Sequence, residues 1–174
     1  MKKLLVIIIV LAFAVPCLAQ TAQSPKPGPE VQKLGYYVGT WKSEGEAKAG
    51  PSAGKWSGTM TCEWFAGGFH LMCRGEGTGP EGKTTSLAIL AYDAEAKAYT
   101  YHAISSRGES GSSKGSLTGS TWTWLWEGKA AGKPAKYRLT EVEVSPTSST
   151  AKLENSVAGG PWTVIEEGKS TKVK

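Results

Sequence analysis

The stretch Cys62-Glu63-Trp64-Phe65-Ala66-Gly67-Gly68-Phe69-His70-Leu71-Met72-Cys73 decides how the chain is read. Gly67-Gly68 offers two consecutive residues that accept positive φ, as a two-residue hairpin turn requires. With those two residues as the turn, Ala66 faces Phe69 and, counting outward, Cys62 faces Cys73. Directly opposed residues of an antiparallel pair lie roughly 4.5–5.5 Å apart at Cα, within reach of a disulfide. The same register sets Trp64 against Leu71 and Met60 against Gly75 on the cysteine face. The other face carries Thr61, Glu63, Phe65, His70, Met72 and Arg74 and is more polar. The cysteine face is therefore the core face, and the expected Cys62–Cys73 disulfide lies in it, the alternative being two buried free thiols.

An oxidised pair needs an oxidising compartment, and the start of the chain supplies an address. Lys2 and Lys3 precede an unbroken apolar run from Leu4 to Val15, and Cys17-Leu18-Ala19 ends in a small residue suited to signal peptidase. Residues 1–19 are read as a cleaved signal peptide. A run of that length is short of the roughly 20 residues that span a bilayer, so no stable membrane anchor is expected after cleavage. Pro16 before Cys17 argues against lipidation, where small residues are wanted. The expected location is periplasmic or secreted. Of the three cysteines, only Cys62 and Cys73 then remain, in agreement with one disulfide.

About 155 residues are left, enough for one domain with its own core. The net charge of +5 loses two units with Lys2 and Lys3, and the other lysines are scattered, so nucleic acid is not an expected partner. Residues 20–29, with Pro25, Pro27 and Pro29, read as a flexible linker, and residues 30–174 as the domain. Pro29 and Glu30 suit the first turn of a short helix that Gly35 limits.

From there on no helical period occurs. Alternation and turn residues mark strands at Gly39–Ala47, Lys55–Phe65, Phe69–Gly77, Thr84–Tyr92, Ala98–Ser106, Ser112–Leu117, Thr121–Glu127, Lys136–Val144, Ser149–Ser156 and Trp162–Glu167. Leu87-Ala88-Ile89-Leu90-Ala91 is apolar on both faces, which predicts cover on both sides or a loop over its outer face. Every connection is short, so the strands form an antiparallel meander. Ten neighbours in an open sheet would leave aggregation-prone edges. Closure removes them and hides the tryptophans, so the expected fold is all-β, an up-and-down barrel of about ten strands with a short N-terminal helix.

A short helix running into Gly39-Thr40-Trp41 resembles the Gly-x-Trp opening of the calycins, the lipocalin-like barrels. The Ala91-Tyr92-Asp93 turn, the strand from Tyr99 to Gly108 and the ending from Trp162 to Val173 resemble more closely a bacterial exported family, domain of unknown function 1579. The resemblance spans Leu34 to Lys174. It implies a closed barrel with one end plugged by the helix and Trp41, and it implies no established activity.

The candidate sites divide by face. Trp122, Trp124 and Trp126 share one side of a strand and admit two readings: interior filling beside a small lipophilic ligand, or an outer platform for sugar rings. Arg138 also admits two readings, an inward clamp on a ligand carboxylate or an outward partner of Glu141 or Glu127. Trp56, Trp64, Tyr101, Trp124 and Arg138 are the expected cavity lining. His70 and His102 are the only histidines. The haem-binding barrel nitrobindin, a calycin relative, suggests testing them. His102 reads as outward, and the last seventy residues hold no histidine where that relative's ligand lies. Two histidines and two paired cysteines do not make a zinc site, so neither a metal nor a cofactor is expected. No Gly-x-Ser-x-Gly elbow occurs, and Asp93, the sole aspartate, suits a turn. The reading is a non-enzymatic barrel that binds a small apolar or amphipathic molecule. The alternative is a surface module for carbohydrate or envelope components built on the tryptophan ladder.

Overall fold

The computed structural model describes residues 25–173 apart from Pro51. The expected signal peptide and the first part of the linker lie outside the described residues. Pro29–Lys33 forms a single-turn helix, α1, with Pro29 in its first turn, and Leu34–Tyr37 continues it as a 3-10 turn. Ten strands follow: β1 Gly39–Ala47, β2 Gly54–Trp64, β3 His70–Gly79, β4 Gly82–Asp93, β5 Ala98–Ser105, β6 Ser110–Thr118, β7 Thr121–Ala130, β8 Lys133–Ser145, β9 Ser148–Val157 and β10 Thr163–Val173. Each pairs antiparallel with its neighbours in sequence, and β1 pairs with β10 from Thr40↔Val173 to Ala47↔Glu166. The strand order closes on itself as a barrel.

The hairpin that opened the reading has the expected register, Cys62↔Cys73 and Trp64↔Leu71. A disulfide joins the two cysteines, whose Cα atoms are 4.1 Å apart. The turn differs in detail. Phe65 N–H donates to His70 O and Gly68 N–H to Phe65 O, so the connection is the four residues Ala66–Phe69. Gly67, at φ 91°, takes the third position of the hydrogen-bonded turn Phe65–Gly68, where a positive φ marks type II. A two-residue and a four-residue loop centred on the same bond give the same pairing, so the register does not depend on which one forms.

Two expected connections are shorter than predicted, and the last strand is longer, because pairing runs on beyond the expected ends. β3 extends to Gly79 and β4 begins at Gly82, leaving Pro80-Glu81 as the turn. β7 and β8 extend to Ala130↔Lys133 across Ala131-Gly132. β10 extends to Val173, six residues beyond the expected end at Glu167. Those extensions are rich in Gly, Lys, Ser and Thr, whose alternation is weak, and cross-strand pairing supplies the order that composition does not. The outer face of β4 is also corrected: Ile89 is exposed, and no segment among the described residues covers it.

The helical segment lies across one end of the barrel and is tied to strands around it. Tyr99 on β5 donates to the Glu30 backbone oxygen at 3.1 Å, and Tyr36 donates to Ser148 O at 3.0 Å. The Trp41 indole donates to Tyr37 O at 3.0 Å, and Lys172 Nζ to Tyr36 O at 3.0 Å. Trp41, the expected plug, is buried directly beneath the segment. Under this cap the interior is dense. Leu34, Tyr37, Leu71, Leu90, Tyr99 and Trp122 form one cluster with the disulfide. Tyr99 meets Trp122 edge-on at 4.8 Å, and Tyr37 meets it at 5.2 Å. Full burial of side chains this large contributes about 2–3 kcal/mol each, so most of the barrel's cohesion sits at the capped end.

Candidate functional site

Away from the cap the inward positions become small. Gly45, Gly58, Gly75, Gly77, Gly111, Gly115 and Gly168 share the inner face with a few indoles. A Cβ on Gly115 would stand 2.5 Å from Trp124, and one on Gly45 would stand 2.6 Å from Trp56. Gly45, Gly115 and Gly168 each make room for an indole lying against the sheet. Between the indoles lie two interior chambers, and a further space of about 440 Å³ toward the end away from the cap is lined by Trp56, Met60, Gly75, Arg107, Glu109 and Glu166.

The first chamber, about 300 Å³, is lined by Tyr37, Met60, Leu90, Tyr101, Trp124, Trp126 and Leu139, with Ala103 and the Gly111–Ser113 backbone at one side and Glu141 as its ionisable carboxylate. The second, about 210 Å³, shares Tyr37, Met60, Leu139 and Glu141 with it. Beyond that wall it adds Trp56, Ser43, Leu153, Ser170 and a second carboxylate, Glu166. Trp124 stacks parallel to Trp122 at 6.0 Å and receives Tyr101 edge-on at 6.0 Å. Trp126 stacks on Tyr137 at 5.3 Å. The ladder Trp122/Trp124/Trp126 thus faces inward, and Thr123 and Leu125 take the outer positions. It offers no outer platform.

Glu141 is the pivot between the chambers. Its carboxylate accepts from Tyr37 Oη at 3.0 Å and from Ser149 Oγ at 2.7 Å, one on each oxygen. Burial pushes its pKa above the ordinary carboxylate value. The two hydrogen bonds oppose that push, and the Glu143 charge adds to it. Glu143 in turn accepts from the Trp122 indole at 2.6 Å. Burial also raises Glu166. The Trp56 indole N–H is buried without a partner.

The first chamber has an open side. β6 pairs with β7 only from Lys114↔Leu125 to Thr118↔Thr121. Ser110–Ser113 pairs with β5 alone, and Trp126–Ala130 with β8 alone. Gly111, Ser112 and Ser113 on one side of this unpaired seam and Trp126 on the other all line the chamber.

Of the five residues expected to line a cavity, the structure brings Tyr101 and Trp124 together in the first chamber and sets Trp56 in the second. Trp64 stands at the capped rim, more than one-third exposed, with its indole beside Gly35. It lines neither chamber.

Arg138 is corrected. It points outward, because β8 registers Tyr137, Leu139 and Glu141 against Trp126, Trp124 and Trp122 and so turns the even positions away. Its partner is Glu154, at 2.9 Å, not Glu141 or Glu127, and its guanidinium lies 4.4 Å over the Trp162 ring. Glu154 is almost fully buried beneath them. Burial would raise its pKa, but the hydrogen bonds and charges of Arg138 and Lys152 outweigh that and hold it below the ordinary value. Sequence reasoning missed both carboxylates inside the barrel, Glu166 and, above all, Glu141. The signal for Glu141 was its parity with Tyr137 and Leu139.

His70 and His102 lie on the outer face, His102 Nδ1 within 2.7 Å of Ser112 Oγ. Among the described residues no three His, Cys, Asp or Glu side chains group as a metal site would need.

A ten-strand meander closed on itself, with a helical segment across one end and a Gly-x-Trp tryptophan beneath it, defines a calycin-like barrel. The chain belongs to the family described as Protein of unknown function (DUF1579), which it matches over residues 26–172. No curated protein matches it. Among solved structures it is similar to Rv2717c from M. tuberculosis, at 13% identity and a TM-score of 0.58, over 86% of this chain and 100% of that one. It is also similar to the S-type phycobiliprotein lyase CPES from Guillardia theta, at 12% identity and a TM-score of 0.50, over 82% of this chain and 92% of that one. At these identities the likeness is one of fold.

Proposed function

We propose that the protein is an exported binding protein that holds a small apolar or amphipathic molecule inside its barrel, and that it is not an enzyme. The observation that carries this reading is the first chamber: about 300 Å³ walled by Tyr37, Tyr101, Trp124, Trp126, Met60 and Leu139, with one carboxylate among them. That volume lies at the lower end of the range for small-molecule sites, and an aromatic wall with a single polar fixture is their usual composition. The inward ladder favours this reading over a surface carbohydrate module, which needs the indoles outside. Export is supported by the buried Cys62–Cys73 disulfide, which suits an oxidising compartment.

Native mass spectrometry of the protein recovered from its own cell envelope tests the reading directly. A co-purified molecule that fits the chamber, and that is lost when Leu139→Trp fills it, is the expected result. A protein that stays empty and binds none of a panel of apolar probes refutes it.

A further inference from the structure

The charge of the interior limits what kind of molecule can enter. Glu141 belongs to both chambers and Glu166 to the second, while among the described residues no lysine, arginine or histidine lines either one. The cations that could have balanced them are committed elsewhere. Arg138 is on the outer face with Glu154. Lys172 lies over Trp41 at the capped end and donates to Tyr36 O. Arg107 pairs with Glu81 at the far rim, where it lines the 440 Å³ space with Glu109 and Glu166 and reaches neither Glu141 nor the first chamber. A carboxylate has about four acceptor positions, and Tyr37 and Ser149 take one on each Glu141 oxygen. Accepting capacity is left over, on a group that cannot donate while ionised.

We infer that the barrel selects amphipathic molecules with a cationic polar end, a lipophilic primary amine being the simplest member. The ammonium group sits at Glu141 and the apolar body lies against Tyr101, Trp124 and Trp126. This rests on the reading that the barrel binds a small molecule at all. A ligand carboxylate of the same length would be buried beside Glu141 and Glu166 with no counter-charge, an arrangement that a low-dielectric interior penalises heavily. A neutral alcohol would fall between the two. The expected ligands are therefore the opposite of the carboxylates that an inward Arg138 would have selected.

Glu141 faces Tyr37 and, at longer range, Tyr36 from the 3-10 turn, Glu143 on its own strand, Ser149 on β9 and Glu166 across the second chamber, and both tyrosines are held neutral by burial and the nearby carboxylates. With Tyr37 and Ser149 neutral and both glutamates of its own sign, nothing there replaces its charge. As pH falls through its raised value, amine affinity falls with it, and alcohol affinity stays level.

Three probes of one chain length, decylamine, decanol and decanoate, are titrated against the folded chain by quenching of tryptophan fluorescence. The amine is expected to bind at least tenfold more tightly than the carboxylate. Glu141→Gln, which keeps partners for Tyr37 and Ser149, is expected to bring the amine to the alcohol's affinity, with near-ultraviolet dichroism confirming the fold. Decanoate binding as well as decylamine overturns the inference while leaving the binding reading intact. Failure of all three probes overturns both. Since the wild-type comparison already decides the matter, a variant that fails to fold does not protect the proposal.

Discussion

Replacing Gly115 with alanine isolates the contact on which the first chamber's shape depends. The new Cβ would lie 2.5 Å from Trp124 Cε3 and 2.6 Å from Cζ3, where carbon atoms sit comfortably at roughly 3.5–4.0 Å. The indole must therefore retreat by about 1 Å. Trp122 stacked behind it and Tyr101 at its edge block two directions, so it tilts into the chamber. Overpacking of this kind costs about 1–3 kcal/mol, while alanine in a strand recovers about 0.5–1 kcal/mol of backbone entropy.

Gly111→Ala removes that ambiguity. Gly111 lies on the same strand and the same inner face, and nothing approaches its Cβ position within 4 Å, so it receives the entropic gain alone. The difference between the two variants is the contact itself, about 2 kcal/mol. In a domain of this size that corresponds to about 4–8 °C in melting temperature. Near-ultraviolet dichroism during a thermal ramp reads it from the indoles. Two variants melting within a degree of each other would refute the claim that Gly115 exists to seat Trp124.

Three other perturbations follow from the same geometry. Opening the Cys62–Cys73 disulfide, whose partners are 11 residues apart in sequence, releases a loop worth about 3 kcal/mol of chain entropy. Urea unfolding with and without reductant should show that loss, and a change below about 1 kcal/mol would remove its role as a clamp. Arg138→Ala leaves Glu154 buried with only Lys152, at 3.3 Å, and should cost about 1–3 kcal/mol, the penalty for a buried acceptor that loses one partner, without altering ligand affinity. Because Glu154 is held below its ordinary value of 4.5, its contribution is complete above that pH and is lost as pH falls through the lowered folded value. The variant's stability should be flatter than wild type in that acidic window, and parallel urea series at several pH values test this. Finally, Ser112→Cys combined with Glu127→Cys, oxidised, would close the unpaired seam between β6 and β7. Stopped-flow quenching should then show decanol entering at least tenfold more slowly, and an unchanged rate would place the entrance elsewhere.

The strand order and the cysteine register were legible because each rests on local alternation, and a barrel of consecutive hairpins adds little that is non-local. What alternation could not orient was β8. Tyr137 and Leu139 are apolar on one face and Val142 on the other, so its period fits either direction. Only the long ladder against Trp122, Trp124 and Trp126 turns Glu141 inward and Arg138 outward. One parity choice thus reverses the expected charge of the site. Glu154 was invisible for a different reason. It is an outward residue held from outside by Arg138 and Lys152, beside a register shift between Val164 and Glu166 on the neighbouring strand, and a bulge of that kind leaves no period to read.

The glycines of the inner face join the barrel's stability to its capacity. In most strands an interior glycine weakens the sheet, and this barrel carries several on one wall. Their cost is accepted where an indole covers the bare backbone, as Trp56 does over Gly45 and Gly168 and Trp124 does over Gly115. Gly111 has no such cover, and it is there that the seam and the first chamber meet. The capped end has no comparable vacancy: Trp122 is fully buried between Tyr37 and Tyr99. The division follows from where the large side chains run out. The cap and its aromatic cluster hold the ring of strands closed, so the glycine-rich wall can keep a chamber open without the barrel collapsing onto it.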